Sequence, residues 1–392
     1  MKIGLVTGEY PPMEGGVGAF TQALAQALAE LGHTVHIITD RRARPFAAHR
    51  RWQDLLEPVD LGFAQLHPNV KKWRWTAIAQ IADVALRYDL DVVNVQYQAA
   101  AYDMRSPAIS LLPWRLKGLT KTAVTFHDLR VPYLFPKAGR LRQTAVTTMA
   151  KQAHGAIVTN QADYDALTAV TRTPVRQIPI GSNITTYTPH PSEIEEARSL
   201  LGLGGGDFLL GYFGFLNESK GADTLLYALA TLDQHAHLVF IGGQTGSSDP
   251  TNNQSFLEQL KALIGELGLD RRVHWTGFVP DQRVSTFLHA ADLLVMPYRD
   301  GVSLRRGTLM AVLAHGRPLL TTTPPIFTPE LVHGANVWLV SPDDVAGLAA
   351  AVRILAANPA LRATLGQGAA QAASLFTWDK IAAETAVFLA GL

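Results

Sequence analysis

The chain has 392 residues, more than the roughly 250 to 300 at which a single hydrophobic core stops growing, so two domains are expected. Apolar residues make up 47% and charged residues 17%, which excludes a disordered or fibrous chain, and 34 Lys+Arg against 33 Asp+Glu is too even for nucleic-acid binding by bulk charge. Cysteine is absent, which rules out disulfides, thiolate nucleophiles and zinc–thiolate sites and is compatible with a cytoplasmic protein.

The start is a short apolar run interrupted at Glu9 and Pro11, without the basic lead or cleavage site of a secretory signal. No stretch approaches the roughly 18 apolar residues of a membrane span, so membrane contact is expected to be peripheral at most. Ile3 to Thr7 reads as a buried strand, Phe20 to Leu31 has helical spacing, and Val35 to Thr39 reads as a second strand, which together form a βαβ unit. Strands at Val92 to Val95, Ala123 to Phe126 and Ala156 to Thr159 continue the pattern. The first half is therefore expected to be a parallel sheet covered on both faces, a Rossmann-like domain.

After Ile178 to Asn183 the chain turns polar, with Pro189 and Pro191 ahead of a helix at which Ser192 and Glu195 have capping-box spacing. This is the expected linker, and the charge changes sign across it: 21 basic and 14 acidic residues through Pro191, 13 and 19 beyond. Alternation then restarts with strands at Leu209 to Phe213, Leu238 to Gly242, Val273 to Thr276, Leu293 to Met296 and Pro318 to Thr321, and helices at Ala222 to Leu232 and Asn253 to Leu267. A second Rossmann-like domain is expected. A last helix, Trp378 to Leu389, presents Ile381, Val387, Phe388 and Leu389 as its apolar face. The expected boundaries are 1–185, 186–372 and 373–392.

The candidate chemistry sits at strand-to-helix turns. Gly15, Gly16 and Gly18 lie between the first strand and helix, where the backbone can approach a phosphate or sugar; the missing third glycine, at Thr21, disfavours a dehydrogenase. His127-Asp128 closes a strand at the edge where open parallel sheets collect ligands, and His127 is placed to hydrogen-bond a sugar or to serve structure alone. In the second half, Gly214 to Gly221 is another such turn, now with a cation at Lys220 suited to a diphosphate leaving group. Asp300 to Thr308 gathers a carboxylate, hydroxyls and the Arg305 and Arg306 guanidinium forks. Two basic and aromatic clusters, Arg41 to Trp52 and Lys71-Lys72-Trp73-Arg74-Trp75, suit either the headgroup zone of an anionic membrane or a solvated loop, with Trp75 a candidate core residue.

These residues resemble the family-4 glycosyltransferases. The resemblance rests on Glu9-Tyr10-Pro11-Pro12 with Gly15-Gly16-Val17-Gly18, Gly32-His33-Thr34-Val35, His127-Asp128, the Ile178 to Pro189 linker, Lys220-Gly221, Gly277-Phe278-Val279, Ala291-Asp292, Pro297 and Ala314-His315-Gly316-Arg317-Pro318, in that order over nearly the whole chain. It implies a GT-B fold, two Rossmann-like α/β domains facing across a cleft, with the C-terminal helix crossing back to the first. It also implies a metal-independent, cofactor-free transferase that moves a sugar from a nucleotide donor with retention and closes to do so. The loop around Gly16 would face donor phosphates or acceptor, His127 would contact the transferred sugar, and Lys220 would bind the diphosphate. The turn Gly277, Phe278 and Val279 would hold the base, while Asp300, Ser303, Leu304, Arg305, Arg306, Gly307 and Thr308 would hold sugar hydroxyls and phosphate.

Two departures stand out. Phe215 replaces the arginine that usually precedes the lysine, with Arg305 or Arg306 as substitute, and Ser303 and Ala311 fall where the family carries paired glutamates, leaving Asp300 as the nearest carboxylate. The expected acceptor is a glycan, a lipid-linked sugar or a small metabolite; an anionic membrane surface is an open alternative to a solvated loop at the two basic clusters, and no nucleic acid is expected. A catalytically silent nucleotide-sugar-binding paralogue and a nucleotide-sugar epimerase or sugar phosphate synthase of the same fold remain alternatives.

Overall fold

The computed structural model describes residues 1–13, 15–44, 57–102, 108–129, 139–243 and 250–392, with backbone alone at 139–143 and 250–252. The chain divides into two compact units, Met1–Gly181 with Trp378–Leu392, and Ser182–Thr377. Among the described residues no single helix is long and apolar enough to cross a membrane.

The first unit runs β1 (Lys2–Thr7), α1 (Gly16–Glu30), β2 (Thr34–Asp40), β3 (Val59–Asp60), β4 (Gln65–Val70), α2 (Trp75–Arg87), β5 (Val92–Tyr97), α3 (Leu112–Leu116), β6 (Lys121–Phe126), α4 (Gly139–Gln152), β7 (Gly155–Val158), α5 (Gln161–Thr168) and β8 (Val175–Gln177). Its eight strands lie in the order β3-β4-β2-β1-β5-β6-β7-β8, parallel except for the β3–β4 pair. Central strands are buried along nearly their whole length, as both-face coverage requires. One side of the core joins Val6, Val93, Val95, Val124 and Phe126 of the sheet to Ile78 and Ile81 of α2 and Met149 of α4.

Several elements differ from the sequence reading for local reasons. Helix α1 begins at Gly16, ahead of Phe20, because the Glu9 carboxylate accepts hydrogen bonds from the Val17 and Gly18 N–H groups and supplies the cap that Gly15 lacks. Strand β4 carries His67, Pro68 and Asn69, so no apolar alternation announces it.

The second unit runs α6 (Pro191–Leu200), β9 (Phe208–Phe213), α7 (Ala222–Ala230), β10 (Ala236–Ile241), α8 (Pro250–Glu266), β11 (Val273–Trp275), α9 (Asp281–Ala290), β12 (Leu293–Met296), α10 (Gly307–Ala314), β13 (Leu319–Thr322), β14 (Trp338–Val340), α11 (Val345–Ala357) and α12 (Pro359–Ala373). Six parallel strands lie in the order β11-β10-β9-β12-β13-β14. The capping box of α6 is made by His190 and Glu193, not Ser192 and Glu195, because Pro191 takes the first helical position. Residues 184–187 are tied to α9, where Asp281 accepts from Thr185 N–H and Ser285 from Tyr187 N–H, each at 3.3 Å. In α12, a side chain at Gly366 would lie 2.6 Å from the Gly316 carbonyl, so glycine permits the close approach to the end of α10.

The last helix, α13 (Trp378–Ala390), belongs to the first unit and packs on α1, with the Trp378 ring 5.2 Å from Phe20. It buries Ile381, Ala382, Thr385, Ala386 and Leu389. Val387, expected on the apolar face, is 75% exposed because the helical phase turns it away from α1.

Candidate functional site

In the second sheet the strand order reverses between β9 and β12, and the loops leaving these two strands are where open parallel sheets place ligands. They carry Lys220 and the Asp300–Thr308 segment. A turn over Glu218–Lys220 ends at Gly221, whose φ of 65° and contact with the Pro297 carbonyl leave no room for a side chain. This presses the Lys220 turn against the end of β12. The Lys220 Nζ donates to the Phe215 carbonyl at 2.6 Å, and burial first and the neighbouring Arg306 second push its pKa down from 10.5 to about 8. Gly214 lies between the two loops: a Cβ there would be 2.7 Å from Thr308 Cγ2 and 3.8 Å from Lys220 Nζ.

Arg306 is packed over the Tyr298 ring, Cζ to centroid 3.8 Å, and its Nη2 donates to Asp300 Oδ1 in a short contact. Its Nε is buried with no hydrogen-bond partner among the described residues. Asp300 thus holds Arg306 in place. Tyr298 is itself buried and its hydroxyl meets Thr308 Oγ1 at 2.9 Å, which fixes the first turn of α10. That helix starts at Gly307 with no side-chain cap on its N-terminus, and a Cβ at Gly307 would sit 3.2 Å from Asn183 Oδ1. The Ser303 hydroxyl accepts from Arg305 N–H and Nε at 3.4 Å, whereas Leu304 turns into the core and offers only its backbone to a ligand. Ala311, at one of the glutamate positions, is fully buried.

Sequence reasoning missed Arg299. Its guanidinium donates to Asp223 at 2.5 Å, to Asp343 at 2.9 Å and to the Glu218 carbonyl at 3.3 Å, and its N–H to the Ser219 carbonyl at 2.9 Å. It therefore clamps the turn that carries Lys220. No local motif marks this role, since its partners come from distant parts of the chain. Phe215, which replaces the family arginine, packs its ring beside Gly243 after β10. Gly277 follows β11 with φ 65°, and Phe278 projects 75% exposed, so Gly277 to Val279 present backbone at the same carboxyl edge. Among the described residues no three His, Asp or Glu side chains are grouped to hold a metal ion.

In the first unit, His127 follows β6. Its Nε2 lies 3.0 Å from Gln96 Oε1, its ring meets Phe20 edge-on at 4.6 Å, and burial pushes its pKa down to about 4, so it is neutral near pH 7. Of the glycines after β1, Gly15 packs against the Glu9 carboxyl and a Cβ at Gly18 would be 3.0 Å from the Glu9 carbonyl; only Gly16 borders open space. The Val17 and Gly18 amides are already occupied by Glu9, whose pKa burial raises despite these two hydrogen bonds.

The basic clusters separate in three dimensions. Lys71, Lys72, Arg74 and Trp75 are exposed, Trp75 at 60%, while Trp73 is the core residue at 4%. Trp75 is therefore surface and not core: it opens α2 on the solvent side, and β4 ends so that Trp73 points inward. Arg44 is buried and donates to the Glu57 carbonyl at 3.0 Å; Arg50, Arg51 and Trp52 lie outside the described residues.

Residues 14–185 match the family described as Glycosyltransferase Family 4, and residues 207–358 match Glycosyl transferases group 1. A D-inositol 3-phosphate glycosyltransferase of Corynebacterium jeikeium is 29% identical over 223 residues, 55% of this chain. The chain spans about half the length of that curated relative, 50%. Sucrose-phosphate synthase from Thermosynechococcus elongatus superposes with a TM-score of 0.78 at 20% identity, covering 99% of this chain and 98% of its own. Anabaena HepE in complex with UDP superposes with a TM-score of 0.75 at 19% identity over 100% of both chains.

Proposed function

We propose, because this chain belongs to the family-4 glycosyltransferases and has their GT-B fold of two parallel-sheet α/β domains, that it moves a hexose from a nucleotide-sugar donor to an acceptor hydroxyl with retention at the anomeric carbon. The observation that carries this is the meeting of Lys220, Arg306 and the start of α10 around Gly214, at the point where the strand order of the second sheet reverses. As the bond to the anomeric carbon breaks, negative charge gathers on the departing diphosphate. Two cations and the N–H groups of a helix start stabilise that charge more strongly than they do the intact donor, which is what lowers the barrier. HepE binds UDP and UDP-glucose, which supports a donor of this class.

In this reading Arg306 supplies the cation lost at Phe215, Asp300 orients it, and Arg299 keeps the Lys220 turn in position. The backbone at Gly277 to Val279 receives the base. Ser303, Arg305, Gly307 and Thr308 receive phosphate and sugar hydroxyls. His127, neutral and held by Gln96, offers a hydrogen bond to a sugar hydroxyl without adding charge. Gly16 is the glycine of its loop left open to substrate.

The test is a screen of UDP- and GDP-sugars, each with and without hydroxyl acceptors, reading the product by mass and its anomeric configuration by NMR. A product of inverted configuration removes the retaining step, and a wild-type protein that neither binds nor consumes any donor ends the reading. Ser303 and Ala311, where the family has glutamates, favour a second reading as a binding protein without turnover; donor bound but never transferred or hydrolysed would select it. Donor epimerised with no acceptor present would select the epimerase instead.

A further inference from the structure

We propose that Ser285, oriented by His315, is a positioning residue: it holds the segment Ser182 to Tyr187 so that the Asn183 carboxamide stands beside the start of α10 and donates to the bound diphosphate. The inference rests on the transferase reading and adds to it a residue outside the two loops that carry Lys220 and Arg306.

The Ser285 hydroxyl on α9 lies 2.8 Å from His315 Nε2, the spacing of a nucleophile and its base. Ser285 is fully buried, however, so no substrate reaches its oxygen and the pair serves position. The other ring nitrogen fixes the direction of the proton. His315 Nδ1 is 2.7 Å from the Ala311 carbonyl, which can only accept, so Nδ1 carries the hydrogen and Nε2 the lone pair. Burial lowers the His315 pKa below its usual 6.5, which keeps the ring neutral near pH 7. The Ser285 hydroxyl therefore donates to His315, the Thr185 carbonyl being farther away at 3.4 Å, and its oxygen accepts from the Tyr187 N–H at 3.3 Å.

The rest of the segment is pinned around Asn183. One turn earlier on α9, Asp281 accepts from the Thr185 N–H at 3.3 Å, and the Tyr187 hydroxyl donates to Glu193 of α6 at 2.7 Å. The Ser182 hydroxyl accepts from the Ile184 N–H at 3.1 Å and donates to the Ile184 carbonyl at 2.8 Å, which closes a turn with Asn183 at its tip. Asn183 itself is exposed, and its carboxamide has no hydrogen-bond partner among the described residues. It is not adrift. Its Oδ1 would lie 3.2 Å from a Cβ at Gly307, the first residue of α10, whose N-terminus has no side-chain cap. The relay thus closes a ring: α10 meets Asn183 at its first residue and, from its last turn, holds Tyr187 through Ala311, His315 and Ser285. An uncharged amide with two N–H donors is set beside the open N–H groups of the helix and the Arg306 guanidinium, where a phosphate oxygen accepts from all three. Because the turn and α9 hold it beforehand, it gives up little freedom on binding.

Calorimetric titration of the full chain with UDP and with GDP, beside hydrogen exchange of the ligand-free protein read by mass spectrometry, tests the assignment. Asn183→Ala, a change at an exposed position, is expected to raise the Kd of the nucleotide that binds by about tenfold at an unchanged unfolding midpoint, the loss of one hydrogen bond to a charged group. Ser285→Ala is expected to raise it by a similar factor and to speed exchange of the Thr185 and Tyr187 amides. In the Asn183→Ala background it should add little, because the segment then has nothing to present. Additive penalties overturn the proposal, as does a Ser285→Ala protein that exchanges faster yet binds as the wild type does, which would leave Ser285 a packing residue. Full affinity in Asn183→Ala overturns it even where Ser285→Ala does not fold. A wild type that binds neither nucleotide removes the transferase reading and the proposal together, whereas wild-type binding with indifferent variants removes the proposal alone.

Discussion

Arg306 lies across the face of Tyr298, its Cζ 3.8 Å from the ring centre, and the same guanidinium reaches Asp300. The flat guanidinium is thus fixed by stacking on one side and by a carboxylate at one edge, with Nε left over. An ammonium cannot reproduce that arrangement. Arg306→Ala is expected to lower kcat/KM for the donor by at least tenfold, about 1.4 kcal/mol, and Arg306→Lys to recover little of it. Tyr298→Phe keeps the platform and loses the hydroxyl's contacts with Thr308 Oγ1 and Met296 Sδ, so it is expected to cost less than either. Steady-state kinetics on the three variants decide, and full activity in Arg306→Lys would remove the stacked fork from the account.

Lys220 is expected to set an alkaline limit. Its pKa of about 8 means that the empty site loses a cation as pH rises through 8, so donor affinity should fall there by up to tenfold per pH unit. The sign for stability is opposite. The folded pKa lies below the unfolded 10.5, so between 8 and 10.5 the unfolded chain binds more protons and stability from this group rises with pH. At pH 7 the buried charge opposes folding. Lys220→Met is therefore expected to keep or raise the Tm while turnover drops by orders of magnitude; a variant that loses Tm and turnover together would make Lys220 a structural residue.

Glu9 caps α1 and packs against Gly15. Glu9→Ala leaves two helix amides without that partner and is expected to cost about 1–2 kcal/mol. Gly15→Ala places a methyl on the carboxyl and should cost stability by itself, yet less in a Glu9→Ala background. Denaturant unfolding of the four proteins of this cycle measures the coupling, and strict additivity would mean that the two residues do not share the contact.

Acid should unfold the first unit through a histidine pair. His36 Nδ1 and His67 Nε2 are 3.0 Å apart beside Tyr88, and burial lowers both pKa values, that of His67 to about 4. The unfolded pair takes up protons near 6.5, so stability is complete above that pH and declines as pH falls toward 4, by up to about 3 kcal/mol for His67. Removing the titration with His67→Gln should flatten the dependence of Tm on pH between 6.5 and 4. An unaltered slope would assign acid unfolding to other groups.

Much of this architecture was legible along the chain because its signals are local. Runs of apolar residues between glycine-rich turns mark β1, β5, β6, β9 and β12, and the turns after them mark Lys220, His127 and the Asp300 to Thr308 segment. The half-exposed β8 and β14 carry too few residues for a period, and the alanine- and glycine-rich α11 and α12 carry too little contrast between faces. The roles of Glu9 as a cap, Tyr298 as a platform and Arg299 as a clamp went unread because nothing near them in sequence announces these roles.

The amino-acid sequence determined which cations exist and on which strand-to-helix turns they stand, since both are properties of short segments. Tertiary structure alone decided which of them are paired with a carboxylate. Arg299 is neutralised by Asp223 and Asp343, Arg42 by Asp40, and Arg306 is shared with Asp300, whereas Lys71 and Lys72 have no such partner among the described residues. Charges at a protein surface are screened beyond about 10 Å at ordinary ionic strength, so compensation depends on what the fold brings alongside and not on neighbours in the chain.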